Sequence, residues 1–266
     1  MVKGYINLPY CQKYTTMNKY NLKELSTRAP EGLSKSDTKK QTKAYIDRIE
    51  ELQNMFFAEG KHSLLIVLQG MDASGKDGAV KAVFSAVNPQ GVRVKSFKKP
   101  TEEELSHDFL WRVHNNTPRK GMIQIFNRSH YEDVLVTRVL GFTSDQRAEK
   151  RFAIINSFEE LLQERGTQIL KFYLHISEEA QEERFQDRLD NPRKHWKYNP
   201  NDLKSAEKWP EYRKYYQEIF EKCSPTIPWM IVPSDQKWYK EYLIAKSIVE
   251  TLENLNMKYP ELEVEQ

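Results

Sequence analysis

The chain has only two cysteines, Cys11 and Cys223, far apart in sequence. Such a pair builds neither a disulfide framework nor a cysteine zinc site. No apolar run approaches the roughly 18 residues that a membrane span requires. The first twenty residues hold no apolar stretch of the kind a secretory signal carries. These absences predict a cytoplasmic protein with no membrane partner. Neither sign of charge dominates: 41 Lys and Arg stand against 38 Asp and Glu, a net charge of +3. A sum that small gives no reason to expect a nucleic-acid partner. Internal repeats and low-complexity tracts are also missing.

What is present is core-forming material. The chain has 266 residues, 39% of them hydrophobic and 12% aromatic. That excludes a chain disordered throughout and is long enough to bury a large core. Residues 1–37 lack periodicity and carry Pro9, Pro30 and Gly32, so they read as an irregular arm. Over 38–60, Tyr45, Ile49, Leu52 and Phe56 recur at helical spacing and Gly60 ends the run. A short apolar run at 63–70 then fits a strand buried on both faces. Strand and helix patterns alternate from there. Strands are expected at 92–97, 122–126, 169–175 and 229–232. Helices are expected at 75–88, 101–113 (with Thr101 and Glu104 as a capping box), 129–139, 144–165, after Ser177, at 208–223 and from 235 onward. Strands separated by helices imply a parallel sheet with helices on both faces. The expected fold is α/β with five parallel strands, one domain over 38–260, and an acidic tail over 261–266.

The first strand leads into Gly70-Met71-Asp72-Ala73-Ser74-Gly75-Lys76-Asp77, which fits the phosphate-loop pattern G-x-x-x-x-G-K. The pattern alone is common. Its place between an apolar strand and a helix makes it specific. Glycines let the backbone curl so that successive N–H groups point inward, the helix N-terminus adds positive potential, and Lys76 adds a full charge. The Ser or Thr that usually follows the lysine is replaced by Asp77, and Asp72 places a second acid inside the loop. Two acids in a phosphate cradle make sense if they hold magnesium beside the phosphates.

The third strand ends in Asn127-Arg128. An Asp at such a strand end helps to hold magnesium in phosphate-loop enzymes. Asn127 keeps the shape of that residue without its charge, and Arg128 is suited to neutralising a transferring phosphoryl group. Lys98 and Lys99 lie past the second strand, at the carboxyl end where ligands gather in open α/β sheets. Arg184, Arg188, Arg193, Lys194 and Lys197, with Trp196 and Tyr198 among them, mark 184–206 as a basic lid. His107 and His130 read as structural, and Trp229 and Trp238 as core anchors.

The segments GMDASGKDGAVKAV, SFKKPTEEELSHDFLWR, IFNRSHYEDVLVTRV, NPRKHWKYNPNDL and PWMIVPSDQKWYK together resemble the polyphosphate kinase 2 family. SHYEDVL is most similar to the subgroup that phosphorylates both nucleoside mono- and diphosphates. The resemblance implies a thymidylate-kinase-like phosphate-loop fold with a helical lid. It also implies reversible transfer of the terminal phosphoryl of inorganic polyphosphate to AMP and ADP, with magnesium (or manganese) as cofactor. Adenine and guanine nucleotides are the implied partners, and a homo-oligomer, dimer or tetramer, the implied assembly.

On that resemblance, the amides of Ala73, Ser74, Gly75, Lys76, Asp77 and Gly78, with Arg188, Arg193 and Lys194 of the lid, bind polyphosphate. Asp77, Lys81, Lys98, Lys99, Arg112 and Arg138 serve the nucleotide acceptor. Asp72, Lys76, position 127 and Arg128 carry the chemistry, and Asp72 with position 127 holds the metal. The family has Asp where Asn127 stands, so the change predicts a chain weakened in turnover, as in an inactivated variant. An ATP-dependent nucleotide kinase of the same fold and a non-catalytic phosphate-binding protein are the alternatives.

Overall fold

The computed structural model describes residues 21–198, 206–223 and 226–262. Helix α1 (Lys35–Glu59) starts where the Ser34 side chain accepts from the Asp37 N–H, and stops at Gly60, whose φ of 64° is left-handed. Strand β1 (Ser63–Gln69) follows and is buried along its whole length. Its side chains alternate between two cores. Leu64, Ile66 and Leu68 enter a cluster with Ile49 and Phe56 of α1, while Leu65 and Val67 enter a second cluster on the other face. A strand with water on neither side must be apolar at every position, hence the unbroken run.

The remaining elements alternate as expected. Helix α2 (Lys76–Val83) is followed by β2 (Val92–Ser96), α3 (Glu102–Ser106), α4 (Trp111–His114) and β3 (Ile123–Asn127). Next come α5 (Val136–Val139), α6 (Asp145–Glu164), β4 (Thr167–His175), α7 (Glu178–Asp190), α8 (Trp209–Lys222), β5 (Trp229–Pro233) and α9 (Lys237–Glu253). The sheet order is β2-β3-β1-β4-β5 and every pairing is parallel. Side chains from α1, α2 and α9 build the core on one face, and those from α6 and α8 the core on the other. The capping box of α3 is complete: the Thr101 side chain accepts from Glu104 N–H, and the Glu104 carboxylate accepts from Thr101 N–H. Trp229 is buried in the core, as its sequence context predicts, and Trp238 packs against the cluster on the α1 face.

Three expected helices are shorter. The one expected over 75–88 is α2 alone, which stops at Val83 with Phe84 as its C-cap; a separate 3-10 turn, Pro89–Gly91, capped by Asn88, follows. The span 101–113 splits into α3 and α4, with His107 extended between them. The span 129–139 splits into a 3-10 turn, His130–Val134, and α5. The described part of the arm is irregular but firmly seated. Leu22 is buried in the core, His175 Nε2 lies 3.2 Å from the Leu25 carbonyl, and Thr27 Oγ1 donates to Asp235 at 2.7 Å. Residues 1–20, 199–205, 224–225 and 263–266, and with them Cys11, Pro200 and most of the expected acidic tail, lie outside the described residues.

Candidate active site

The parallel register of β1 and β3 sets Leu68 beside Asn127. Both strands therefore end at the same height, and their next residues, the loop from Gly70 and Arg128, leave side by side. This pairing is what brings two motifs more than fifty residues apart to one place. Two backbone features shape the corner. Gly70 sits at φ 152°, and a Cβ there would lie 2.8 Å from the Leu174 carbonyl, so only glycine fits. Arg128 adopts φ 63°, a conformation that costs a residue with a side chain about 1–2 kcal/mol. The strain turns its guanidinium onto Asp72, whose Oδ1 accepts at 2.5 Å, and leaves Glu132 3.4 Å away on the other side.

Lys76 is 8% exposed, and its ammonium donates to the carbonyls of Gly70 at 2.8 Å and Met71 at 3.1 Å. Burial lowers its pKa to about 8, and the neighbouring Arg128 adds to the fall, while Asp72, Glu132 and Asp77 oppose it. A lysine held this way against neutral carbonyls carries charge that no contacting acid cancels. Asp77, at the start of α2, accepts from Asn127 Nδ2 at 2.6 Å and faces Lys197 Nζ at 3.8 Å. Thus five residues expected in the site, Asp72, Lys76, Asp77, Asn127 and Arg128, converge.

The other expected positions are arranged less uniformly. Asp77 and Gly78 are exposed at the N-terminus of α2, with Lys81 exposed further along the same helix. Lys98 and Lys99 are exposed past the end of β2. Arg112 is buried; it donates to the Lys98 carbonyl at 2.9 Å and pairs with Glu104 and Asp133. It therefore braces the turn carrying Lys98, and its own guanidinium is occupied. Arg138 is not brought to this corner. Its guanidinium is taken by Asp145 at 2.6 Å and Glu218 at 2.8 Å, and it lies over the Tyr215 ring, which ties α5 to α6 and α8. In the lid stretch, Lys194 pairs with Asp187, Arg188 packs over Phe185 and donates to the Lys197 carbonyl, and Arg193 is exposed. His107 stacks on Trp111 and His130 is wholly buried beside Glu159, both structural as expected.

Sequence reasoning missed Glu132, although its i,i+4 spacing from Arg128 was a usable signal. Three residues touch the loop from outside; sequence reasoning missed Gln181 and Lys240 and placed Arg184 only in the lid. Gln181 Nε2 donates to the Asp72 carbonyl, Arg184 to that of Ala73, and Lys240 to those of Ser74 and Gly75. Nothing in the pattern of α7 or α9 announces these contacts. Among the described residues, no group of three or more His, Cys, Asp or Glu side chains could hold a metal. The hard oxygens of Asp72 and Asp77 and the neutral Oδ1 of Asn127 suit magnesium in its phosphate-associated mode. In that mode the protein supplies one or two carboxylates, and phosphates and water supply the rest.

A model of the polyphosphate kinase 2 family matches residues 32–260. The AMP/ADP-polyphosphate phosphotransferase of Meiothermus ruber is 51% identical over 217 residues, 81% of each chain. The ADP-polyphosphate phosphotransferase of Rhodopseudomonas palustris is 40% identical over 229 residues, 81% of this chain and 79% of that one. The crystal structure of polyphosphate kinase 2 from Arthrobacter aurescens TC1 superposes with a TM-score of 0.90 at 40% identity, covering 94% of this chain and 91% of that one. The chain belongs to the polyphosphate kinase 2 family. No helix among the described residues is long and apolar enough to cross a membrane.

Proposed function

We propose that this chain is a polyphosphate-dependent nucleotide phosphotransferase acting on AMP and ADP, reversible, and slowed by Asn127. One observation carries the reading. The phosphate loop and Asn127-Arg128 meet at the ends of paired strands, in a chain half identical to a relative bearing that activity's name.

Polyphosphate would lie against the loop amides and the N-terminus of α2, with Lys76 leaving the Gly70 and Met71 carbonyls for a phosphate oxygen. The acceptor would approach from the side of Asp77, Lys81, Lys98 and Lys99. Its terminal phosphate is already an oxyanion, so no general base is needed. The bond between the last polyphosphate phosphorus and its bridging oxygen breaks as the acceptor oxygen bonds to that phosphorus. Arg128 lies where charge on the transferring group needs neutralising. Asp72 and position 127 would hold magnesium, which supplies charge neutralisation on the phosphates. The lid arginines and a dimeric or tetrameric assembly belong to the same reading.

Asn127 donates a hydrogen bond to Asp77 where an Asp would present a second carboxylate. That contact leaves the amide turned to protein and removes one negative charge from the metal side. The Asn127→Asp chain, given polyphosphate, magnesium and AMP, is expected to form ADP and then ATP roughly a hundredfold faster than the present chain. Nucleotide formed only when ATP is the donor would overturn the polyphosphate assignment. An Asn127→Asp chain as inactive as the parent would favour a binding protein.

A further inference from the structure

The carbonyls of the phosphate loop from Gly70 to Gly75 are all engaged by side chains, those of 72–75 by side chains from elsewhere in the fold, and that of Gly75 also by the Ala79 N–H. Lys76 holds those of Gly70 and Met71. Beyond it, Gln181 Nε2 donates to the Asp72 carbonyl at 2.7 Å, Arg184 Nη1 to that of Ala73 at 2.8 Å, and Lys240 Nζ to those of Ser74 at 3.2 Å and Gly75 at 3.1 Å. A peptide unit is planar and trans, so its carbonyl and the next residue's N–H point in opposite directions. Drawing the carbonyls of 72–75 to one side turns the N–H groups of 73–76 to the other. The N–H of Ser74 closes a turn on the Met71 carbonyl. By this geometry those of Ala73, Gly75 and Lys76 are left to face the phosphate side.

The donors are themselves held. Gln181 is 3% exposed, and its Oε1 accepts from Trp209 Nε1 at 2.7 Å, which fixes which end of the amide meets the loop. The second Arg184 nitrogen donates to the carbonyls of Ser234 at 2.6 Å and Asp235 at 2.9 Å, tying the loop to the turn between β5 and α9. Lys240 is 1% exposed, so it cannot itself touch a phosphate, and a Cβ at Gly75 would fall on its ammonium. A buried cation with only carbonyl partners is an expensive choice for a fold that needs nothing more than packing there. The Arg184 guanidinium on the carbonyl side also leaves positive potential behind amides that must meet a polyanion.

We propose that Gln181, Arg184 and Lys240 are positioning residues that hold the loop's carbonyls away from the substrate and so present its amides, under added positive potential, to the phosphate chain. The proposal rests on the reading of this loop as the polyphosphate site. It assigns a task to three residues that do not touch the reacting atoms.

The test is calorimetric titration of the present chain and its variants with tripolyphosphate and, separately, with AMP. Lys240→Met is expected to weaken tripolyphosphate binding about tenfold while AMP affinity holds and the melting temperature does not fall. Gln181→Glu keeps the side chain's shape but sets an acceptor against the Asp72 carbonyl; it should show the same selective loss. Arg184→Lys, which keeps a donor, should retain more affinity than Arg184→Met. Parent-like tripolyphosphate binding in both Lys240→Met and Gln181→Glu overturns the proposal. So does an equal loss of tripolyphosphate and AMP binding, which marks general damage to the loop. A parent that binds no tripolyphosphate overturns the reading of the loop itself, and this proposal with it.

Discussion

Lys171 and Lys240 are both almost wholly enclosed, at 0% and 1% exposure, yet the fold treats them in opposite ways. Lys171, on β4, has three acceptors for its three protons: Glu159 at 2.7 Å, the Tyr131 hydroxyl at 2.9 Å and the Cys223 carbonyl at 2.6 Å. Burial alone would raise Glu159, but Lys171 and His130 outweigh it and hold its carboxyl below the usual range. The pair is an internal salt bridge. Lys240 has backbone carbonyls and no acid in contact. Burial pushes its pKa down to about 7, and Arg184 beside it works in the same direction, against Glu241 on its own helix. Lys76 repeats this pattern in weaker form. Where the fold needs only cohesion, it neutralises a buried cation internally. At the phosphate loop it leaves the neutralising charge to come from outside.

The largest effect that could break this comparison is on Lys171. Replacing it with Met strands the Glu159 carboxylate in the core, and removing one partner of a buried pair costs about 3–5 kcal/mol. Thermal unfolding of Lys171→Met should fall by roughly 10 °C for a chain of this size. A shift of a degree or two would mean that the pair is not what separates the two regions. The matching change at the loop should behave differently. Lys76→Met removes a buried charge that has no acid to strand, so stability should move by less than about 1 kcal/mol in either direction. Polyphosphate affinity should fall by at least about tenfold, seen by titration.

The smallest expected effect sharpens the contrast through pH. An unfolded lysine titrates near 10.4, whereas Lys240 in the folded chain does so at about 7. Between those values the unfolded state binds more protons, so this group adds stability as pH rises. Arg184 from α7, Lys76 from α2, and Lys237 and Glu241 from α9 all act on it. The melting temperature of the unliganded protein should therefore climb more between pH 7 and 9 than that of Lys240→Met. Identical profiles would show that Lys240 stays charged across that window.

Much of the architecture is legible because it is local. The unbroken apolar run of β1, the Thr101–Glu104 box and the Ser177 cap each declare an element within a few residues, and the phosphate loop is read from its neighbours on both sides. The contacts that sequence does not reveal are those made by single side chains across long separations. Asn127 meets Asp77 only because β3 is inserted beside β1, an order that the chain does not spell out. Arg138 fits a basic-site pattern in one dimension. In three it is claimed by Asp145 and Glu218, and the Glu218 contact depends on how α8 packs. Lys240 lies between Tyr239 and Glu241 with no pattern to mark it as a buried cation.

The clamp on the loop also has a direction in time. The loop is made early in synthesis, but Lys240 follows Gly75 by 165 residues and Arg184 follows Ala73 by 111. A nascent chain halted before α9 therefore carries the full phosphate-loop motif, with Gln181 and Arg184, but without Lys240. Polyphosphate would meet the complete clamp only after α9 has emerged. The last described helix thus completes the motif that the first strand begins.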